Sequence, residues 1–287
     1  MTTTKPNITV QVDLTNPGQF FACCGLFELA DRLWPGAEAW FDEDTFCIAC
    51  TGEMTRLLQS LIDSELRSSV GDEGLRRLGT LMSAKKSSLS DQDQREKESL
   101  RAMWQAESLV LGAPFNIVLN WWRDEYNNRT ALKTWAAKQF IVDIVRPLRS
   151  AVAEISKVPP FDDIFQRAVE VDGLPLFFDS HTQCQSTALD AGFSTYDLRR
   201  VIKESPSTRP ALEFFAFVGM QRFRLLPRRV DGTFVFHTWH TPFSPPVAAV
   251  AAMGVLRSPG ARSYQFRLLD RTKYMKAFLP ATPVGDI

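Results

Sequence analysis

Apolar and polar residues alternate over residues 8–12, which predicts a strand near the start of the chain. A helix should follow Asn16, because this residue suits the N-cap and Pro17 suits the first helical position. Gln19 lies at the third helical position, from which its side chain can reach back to the cap. The apolar sequence that follows predicts a helix that continues as far as Pro35.

The same pattern analysis gives further elements in the first half of the chain. They are a hairpin over 37–41 and 45–49, a helix over 53–66 and a strand over 115–121. The order β-α-β-β-α-β is that of a ferredoxin-like unit. Its last connection carries an insertion at 70–112, whose polar sequence indicates a loop and an exposed helix.

The second half of the chain predicts a repeat of this order. Its predicted elements are strands over 174–179, 222–225, 234–239 and 263–268, and helices over 211–219 and 247–256. A helix from about 130 to 154, interrupted by Pro147, would connect the two halves. We therefore expect an α+β fold of two ferredoxin-like units, with helical insertions between and within them. The expected domains are 1–122, 123–170 and 171–287.

Composition narrows the class of protein. The chain has 287 residues, of which 45% are hydrophobic and 21 are Phe, enough for a large packed core. No apolar run reaches the roughly 18 residues that span a bilayer, and the N-terminus shows no apolar signal segment. The five cysteines are an odd number in a long chain, which favours reduced thiols over a disulfide framework. These features predict a cytoplasmic protein without a membrane partner.

Charge is unevenly distributed along a chain whose net charge is zero. Residues 1–60 carry three basic and eight acidic side chains, a net of −5. Residues 201–287 carry twelve basic and five acidic side chains, a net of +7. Such asymmetry indicates a polyanion partner at the C-terminal third. The alternative is a chance cluster of surface arginines.

The basic residues of this C-terminal third are interleaved with aromatic residues. Alternation places Arg222 and Arg224 on one face of a predicted strand, and Gln265 and Arg267 on one face of another. The candidate nucleic-acid ligands in this region are Arg222, Arg224, Arg228, Arg229, Arg262, Arg267, Arg271 and Lys273. Guanidinium groups beside aromatic rings suit phosphate contacts and base stacking. The alternative is a solvated basic face over an aromatic core.

The predicted start of the first helix is a second candidate nucleic-acid site. A helix N-terminus that carries Gly18 and the amide side chains of Asn16 and Gln19 can meet a phosphate or a base edge. The competing interpretation is a helix cap without a ligand.

Signals for catalysis or metal binding are weaker. Cys47 and Cys50 form a CxxC pattern, but residues three apart on a strand point to opposite faces, and the chain has no second such pattern. His237 and His240 flank Trp239 near a predicted strand end, where a structural or RNA-stacking role competes with a role in a ribonuclease. None of the common nucleotide-binding or hydrolase motifs is present in the sequence. We therefore expect no cofactor, no metal and no catalytic residue.

Six sequence blocks resemble a known family. They are NPGQFFACCGLFELA (16–30), NWW (120–122), KTWAAKQ (133–139), FDS (178–180), ALDAGFS (188–194) and FVGMQRFR (217–224). Together they resemble a subunit of the Cascade complex of type I CRISPR systems, subtype I-U (also called I-G), in the large-subunit-like family. The blocks contain no catalytic motif, so no catalytic residue follows from the resemblance.

The resemblance implies a non-catalytic subunit of an RNA-guided DNA surveillance complex. Its expected partners are CRISPR guide RNA, target DNA, the other Cascade subunits and the helicase-nuclease, and it would help to recognise the protospacer-adjacent motif. In such a scheme base pairing reads the sequence, while protein reads backbone shape and a short duplex motif. The alternative function is a ferredoxin-like endoribonuclease that processes guide RNA with a histidine as general base.

Overall fold

A computed structural model describes residues 5–123, 131–135, 139–181, 207–226, 228, 231–272 and 275–285. The chain divides into two compact units. The inserted unit is Ser64–Thr130, and the main unit consists of Met1–Asp63 and Ala131–Ile287. This division differs from the predicted boundaries, because the two ends of the chain share one unit.

Helices and strands are mixed along the described chain, as expected for an α+β protein. The helices are α1 (Pro17–Leu33), α2 (Met54–Asp63), α3 (Asp72–Ser83), α4 (Asp91–Gln105), α5 (Ile141–Ile155), α6 (Pro210–Gly219) and α7 (Pro245–Ala252). The strands up to residue 208 are β1 (Ile8–Gln11), β2 (Glu38–Asp42), β3 (Thr45–Ala49), β4 (Leu66–Ser68), β5 (Leu109–Leu111), β6 (Ile117–Leu119), β7 (Val169–Glu170) and β8 (Ser207–Thr208). The later strands are β9 (Phe234–His237), β10 (Ser263–Phe266), β11 (Leu268–Thr272), β12 (Met275–Phe278) and β13 (Thr282–Val284).

An antiparallel sheet with the strand order β1-β3-β2 forms the N-terminal part of the main unit. β2 and β3 are the predicted hairpin, whose turn contains Glu43 at a φ of 50°. Residues 239–243 extend the outer edge of β2. The Phe41 N–H donates to the Trp239 carbonyl, and the Trp239 indole Nε1 donates to the Ala39 carbonyl, each at 2.8 Å.

A second antiparallel sheet, in the order β13-β10-β9, is called the C-terminal sheet below. Phe234 and Phe236 of β9 pair across the strands with Phe266 and Tyr264 of β10. All four rings are buried, and each cross-strand pair stacks with its ring centroids 5.3 Å apart. Because side chains alternate along a strand, the inner face of this sheet is aromatic and its other residues face outward.

Helix α1 supplies the core for both sheets. Its Phe20 stacks on Phe236 of the C-terminal sheet at 4.2 Å between centroids and packs against Phe41 of β2 at 5.9 Å. The next residue, Phe21, packs edge-on against Phe266 at 6.4 Å. Residues 17–30 are all buried, as expected for a helix that is apolar on every side.

Helix α6 is buried along its whole length and crosses α1 at a pair of glycines. A Cβ on Gly25 would lie 1.8 Å from the Phe215 carbonyl oxygen. A Cβ on Gly219 would lie 2.2 Å from the Phe21 carbonyl oxygen. Both neighbours are backbone atoms, so they cannot move unless a whole helix moves. Only glycine at both positions allows the two helix backbones to approach this closely.

The inserted unit has its own antiparallel sheet, in the order β4-β5-β6. Helix α3 buries one leucine on each successive turn, namely Leu75, Leu78 and Leu81. Helix α4 begins at a capping box of Ser90 and Asp93 and buries no residue, which confirms the exposed helix predicted for this insertion. Arg77 of α3 donates to Asp93 (2.7 Å) and to Glu96 (2.6 Å), and these contacts hold α4 beside α3.

The predicted cap of α1 is confirmed in part. Asn16 is the N-cap, where its Oδ1 accepts from the Gly18 N–H at 3.1 Å, and Pro17 occupies the first turn. Gln19 does not reach back to the N–H of Asn16. Its Oε1 accepts from the N–H of Asp13 at 2.9 Å, because the Asn16 N–H already donates to the Asp13 carbonyl.

The ferredoxin-like arrangement is not confirmed. In such a unit the fourth strand would join the first sheet, but the strand predicted at 115–121 is β6, which pairs with β5 in the inserted unit. A strand does occur at the predicted place, since β6 lies within residues 115–121. Pairing differs because β6 belongs to the compact unit Ser64–Thr130, apart from the first sheet.

Two predicted strands of the second half are wrong. Residues 174–179 form no strand, since three of their N–H groups donate to the Glu213 carboxylate. Residues 222–225 follow the end of α6, where the N–H groups of Arg222 and Phe223 donate to the Gly219 carbonyl and form a turn. The helix predicted from residue 130 begins only at Ile141. Within the described residues, no helix is long and apolar enough to cross a membrane.

We expect Gly25→Ala to destabilise the protein by about 3 kcal/mol or more, because the added methyl group overlaps backbone and overpacking commonly costs about 1–3 kcal/mol even where side chains can yield. Chemical denaturation followed by circular dichroism would measure this. Gly285→Ala is the matched control, since nothing lies within 4 Å of its Cβ position. Equal unfolding free energies for the two variants would show that the crossing is not rigid.

Candidate nucleic-acid interface

The outer face of the C-terminal sheet carries polar and small apolar side chains. His237 of β9 lies opposite Ser263 of β10, and Val235 lies opposite Gln265. Thr282 of β13 continues the second row beside Gln265. The inner face is taken up by the aromatic core, so this outer face is the one that a ligand can reach.

A cleft of about 320 Å³ opens at the His237 end of this face, and we call it the arginine cleft. Arg228 and Arg257 line it together with His237, Ser258 and Ser263. Its remaining lining is small or aliphatic: Val235, Met253, Gly254, Leu256, Gly260, Ala261, Val284 and Gly285. In the described part of the chain, neither Arg228 nor Arg257 forms an ion pair.

The end of helix α7 positions Arg257 over the sheet. Gly254, at a φ of 75°, donates its N–H to the Ala251 carbonyl, and Val255 donates to the Val250 carbonyl. These two bonds form a Schellman motif, which needs a residue in the left-handed region. The second arginine of the lining is fixed by its backbone: the Arg228 N–H donates to the Thr233 carbonyl, beside the start of β9.

The positive charges of Arg257 and Arg228 act on His237. Its Nδ1 is 2.8 Å from Ser263 Oγ. Burial lowers the pKa of His237 below its usual value, and the charges of Arg257 and Arg228 lower it further. A bound anion would act in the opposite direction and favour protonation of the imidazole.

A second depression, of about 290 Å³, lies at the other end of the same face. Gln265, Arg267 and Thr282 line it together with Asp231. Gln265 and Arg267 both border this depression, although Arg267 lies between β10 and β11 and not on a strand. Arg267 Nη2 lies 3.7 Å from the Asp231 carboxylate, so its charge is partly balanced.

Two of the other predicted arginines bind groups of the protein itself, and a third is exposed. Arg222 is not on a strand beside Arg224; its Nε and Nη2 donate to the buried Glu28 carboxylate at 2.5 and 3.1 Å. Arg262 donates to the Glu43 carbonyl and lies 3.7 Å from Asp44. Arg224 is exposed and donates to the nearby Gln221 carbonyl.

The side chains of the remaining predicted ligands are not described. Arg271 lies in β11. Arg229 and Lys273 lie outside the described residues, as do 136–138 and 188–194 of the sequence blocks. Among the side chains described, Arg228, Arg257 and Arg267 are the arginines of the basic region that border the outer face of the C-terminal sheet.

The second predicted site, at the start of α1, is buried. Asn16 is 0% exposed and donates from Nδ2 to the Asp179 carboxylate at 2.7 Å, while Gln19 is 2% exposed. Asp179 also accepts from Arg209 at 3.4 Å. Asn16 therefore ties α1 to the segment that contains Asp179, whereas Gln19 accepts from the Asp13 N–H and from Gln166. Neither amide side chain can reach a nucleic acid in this conformation.

Glu213, at the start of α6, fixes the same segment. Its fully buried carboxylate accepts from the N–H groups of Leu176, Phe178 and Asp179 at 3.1–3.2 Å. Burial raises the pKa of Glu213 to about 8, and the nearby Asp179 charge adds to this rise. The three N–H donors act in the opposite direction.

Cysteine and the other histidines do not assemble a reactive centre among the described residues. Burial raises the pKa of Cys23 and Cys24 well above the usual value and that of Cys47 to about 11, so these thiols are poor nucleophiles. No group of three or more possible metal ligands occurs in the part of the chain that the structure describes. His240 has a buried Nε2 without a hydrogen-bond partner there, and its N–H donates to Ser258 Oγ.

Sequence reasoning did not choose Arg257, Ser258 or Gly254 as site residues. Arg257 was counted in the basic region, but it follows a helix rather than a strand, so alternation gave no reason to select it. The useful signal was Gly254, since a glycine just after an apolar helix marks a C-terminal cap and a change of chain direction.

No protein-family model matches this sequence, and no curated protein matches it significantly. The resemblance to a Cascade subunit is thus carried by the six sequence blocks alone.

We expect Glu213 to make the protein less stable as pH rises. The folded protein keeps a proton that the unfolded chain releases near pH 4.5, so this contribution is full below pH 4.5 and is lost as pH rises to about 8. The Glu213→Gln variant has no carboxylate to ionise at this position. Relative to this variant, the unfolding free energy of the wild type should fall by about 4 kcal/mol between pH 4.5 and pH 8. Denaturant titrations at four pH values, with the exposed Glu98→Gln as control, would measure it. Parallel stability curves for wild type and Glu213→Gln would contradict this.

Proposed function

We propose that this protein is a non-catalytic subunit of a type I CRISPR RNA-guided DNA surveillance complex in the cytoplasm. It would hold the phosphate backbone of guide RNA or target DNA on the outer face of the C-terminal sheet. The observation that carries the proposal is one sheet face with two concave sites, bordered by Arg228 and Arg257 at one end and by Arg267 at the other. The six sequence blocks support the choice of complex.

Arginine suits this task better than lysine would. Its planar guanidinium donates two parallel hydrogen bonds to a phosphate and remains charged at any physiological pH. Phosphate contacts fix register without reading sequence, which agrees with a scheme in which base pairing provides specificity. The partners would be guide RNA, target DNA, the other Cascade subunits and the helicase-nuclease. The buried Asn16 and Gln19 give no support to recognition of the protospacer-adjacent motif at the start of α1.

An endoribonuclease is the second candidate, and the arginine cleft is the observation that favours it. His237 beside two arginines could act as a general base near a phosphate. Cleavage also needs a general acid. Among the described residues that line the cleft, His237 is the only side chain that could exchange a proton near neutral pH. Binding is therefore the better supported function.

Co-expression of the tagged chain with the other complex subunits and a guide RNA tests the assignment to a complex. We expect guide RNA and the backbone subunits to be recovered with the chain. An RNA without the CRISPR repeat serves as the control. Recovery of the chain alone would show that it is not a subunit of the complex.

Removal of the three arginines should weaken single-stranded RNA binding and reduce its salt dependence. Each lost phosphate contact lowers the log–log salt slope by about 0.7, so Arg228→Ala, Arg257→Ala and Arg267→Ala together should flatten it by about two units. Fluorescence anisotropy at several salt concentrations measures this.

The matched control removes three exposed arginines elsewhere, with Arg56→Ala, Arg76→Ala and Arg95→Ala. Equal slopes for the two triple variants would place the nucleic acid elsewhere. The RNA is then examined on a denaturing gel. Intact repeat RNA agrees with binding, whereas specific cleavage that Arg56→Ala retains and His237→Ala abolishes would establish the endoribonuclease.

A further inference from the structure

The arginine cleft differs from a flat phosphate-binding surface in its depth and its lining. A sheet face that contacts only a backbone needs exposed cations and no cavity. This cleft encloses about 320 Å³, which is at the small end of the range for small-molecule sites. Its volume is suited to a ligand about as large as one nucleotide.

The lining of the cleft includes both charged donors and apolar groups. The guanidinium groups belong to Arg228 and Arg257, and the His237 imidazole contacts the Ser263 hydroxyl at 2.8 Å. The aliphatic side chains are Val235, Met253, Leu256 and Val284. Met253 and Leu256 remain 44% and 40% exposed, so they offer apolar surface that the fold itself does not cover.

This lining matches a ligand with a charged end and a flat apolar end. A phosphate monoester would accept from both guanidinium groups, as phosphates do from paired arginines. A planar base would cover the aliphatic side chains and bury surface that is now in contact with water. An inorganic anion would contact only the guanidinium groups, and an apolar ligand only the aliphatic side chains.

We infer that the arginine cleft binds a single nucleotide unit, with its phosphate between Arg228 and Arg257 and its base on the aliphatic side. The source is either a free nucleotide or the phosphorylated end of a strand, since both present the same monoester. The inference rests on the proposed function only where it assigns this nucleotide to guide RNA or target DNA.

His237 provides a direct readout of binding. The charges that act on this side chain are those of Arg257 and Arg228, and its hydrogen-bond partner is Ser263. A phosphate near these groups would stabilise the imidazolium and raise its pKa. The chain has three histidines, so three imidazole signals in an NMR spectrum can be assigned with one His→Gln variant each.

The experiment titrates the full-length protein with AMP, ribose 5-phosphate and adenosine, and follows the imidazole signals and the dissociation constants. We expect AMP to shift the His237 signal and raise the pKa of His237. Ribose 5-phosphate and adenosine should each bind more weakly than AMP, since each lacks one half of the contacts. Arg257→Ala should weaken AMP binding by about tenfold or more, since hydrogen bonds to a charged group are among the strong ones. Arg56→Ala should leave it unchanged.

Two results would overturn the inference. One is a His237 signal that AMP does not move. The other is AMP affinity that is the same in Arg228→Ala, Arg257→Ala and wild type, which would mean that the nucleotide binds elsewhere. Both arginines are exposed, so neither variant should unfold, and circular dichroism verifies this.

A competition experiment identifies the source of the nucleotide. Displacement of AMP by a 5′-phosphorylated oligonucleotide, but not by its 5′-hydroxyl counterpart, assigns the site to a strand end. Displacement by neither assigns it to a free nucleotide, and both results support the site. The two proposals fail separately. If the wild type binds AMP but the triple arginine variant keeps the wild-type salt slope for RNA, only the backbone-binding function is refuted. If the triple variant flattens the salt slope for RNA but the wild type does not bind AMP at the cleft, only the nucleotide site is refuted.

Discussion

The close crossing of α1 and α6 at Gly25 and Gly219 is the constraint on which the main unit depends. Two helices that are buried on every side can share one core only if their backbones approach closely, because side chains at the crossing would separate them. The short distance between the two helix backbones lets the aromatic residues of α1 reach both sheets. Phe20 contacts Phe236 on one side and Phe41 on the other, so a shift of α1 would disturb both sheets together.

Burial of both helices brings two carboxylates into the core, and the protein satisfies them in different ways. Glu28 on α1 is paired with Arg32 and Arg222, so its charge is balanced. Glu213 on α6 is satisfied by backbone N–H groups instead, and its raised pKa shows that these donors do not fully offset desolvation. Glu28 binds Arg222, which the sequence assigned to nucleic acid. Glu213 binds the N–H groups of the segment 174–179, which the sequence predicted as a strand.

The candidate interface is a consequence of the same packing. Because the inner face of the C-terminal sheet is taken up by aromatic rings, His237, Ser263 and Gln265 lie on the outer face. The ends of neighbouring segments then add the charged groups. Arg257 follows the cap of α7, Arg228 precedes β9, and Arg267 follows β10. The site therefore combines a regular sheet with irregular termini, which is the part of a fold where binding residues commonly occur.

The sequence by itself determined the local elements: the cap at Asn16, the hairpin around Glu43, the buried faces of α1 and α6, and the outward position of Gln265. These follow from short-range periodicity and capping, which act within a few residues. The tertiary structure decided which strands share a sheet and which arginines remain available. β6 pairs within residues 64–130, and Arg222 meets a carboxylate 194 positions away along the chain. Such partners are set by the burial of distant apolar faces and charges, and a local pattern contains no information about that.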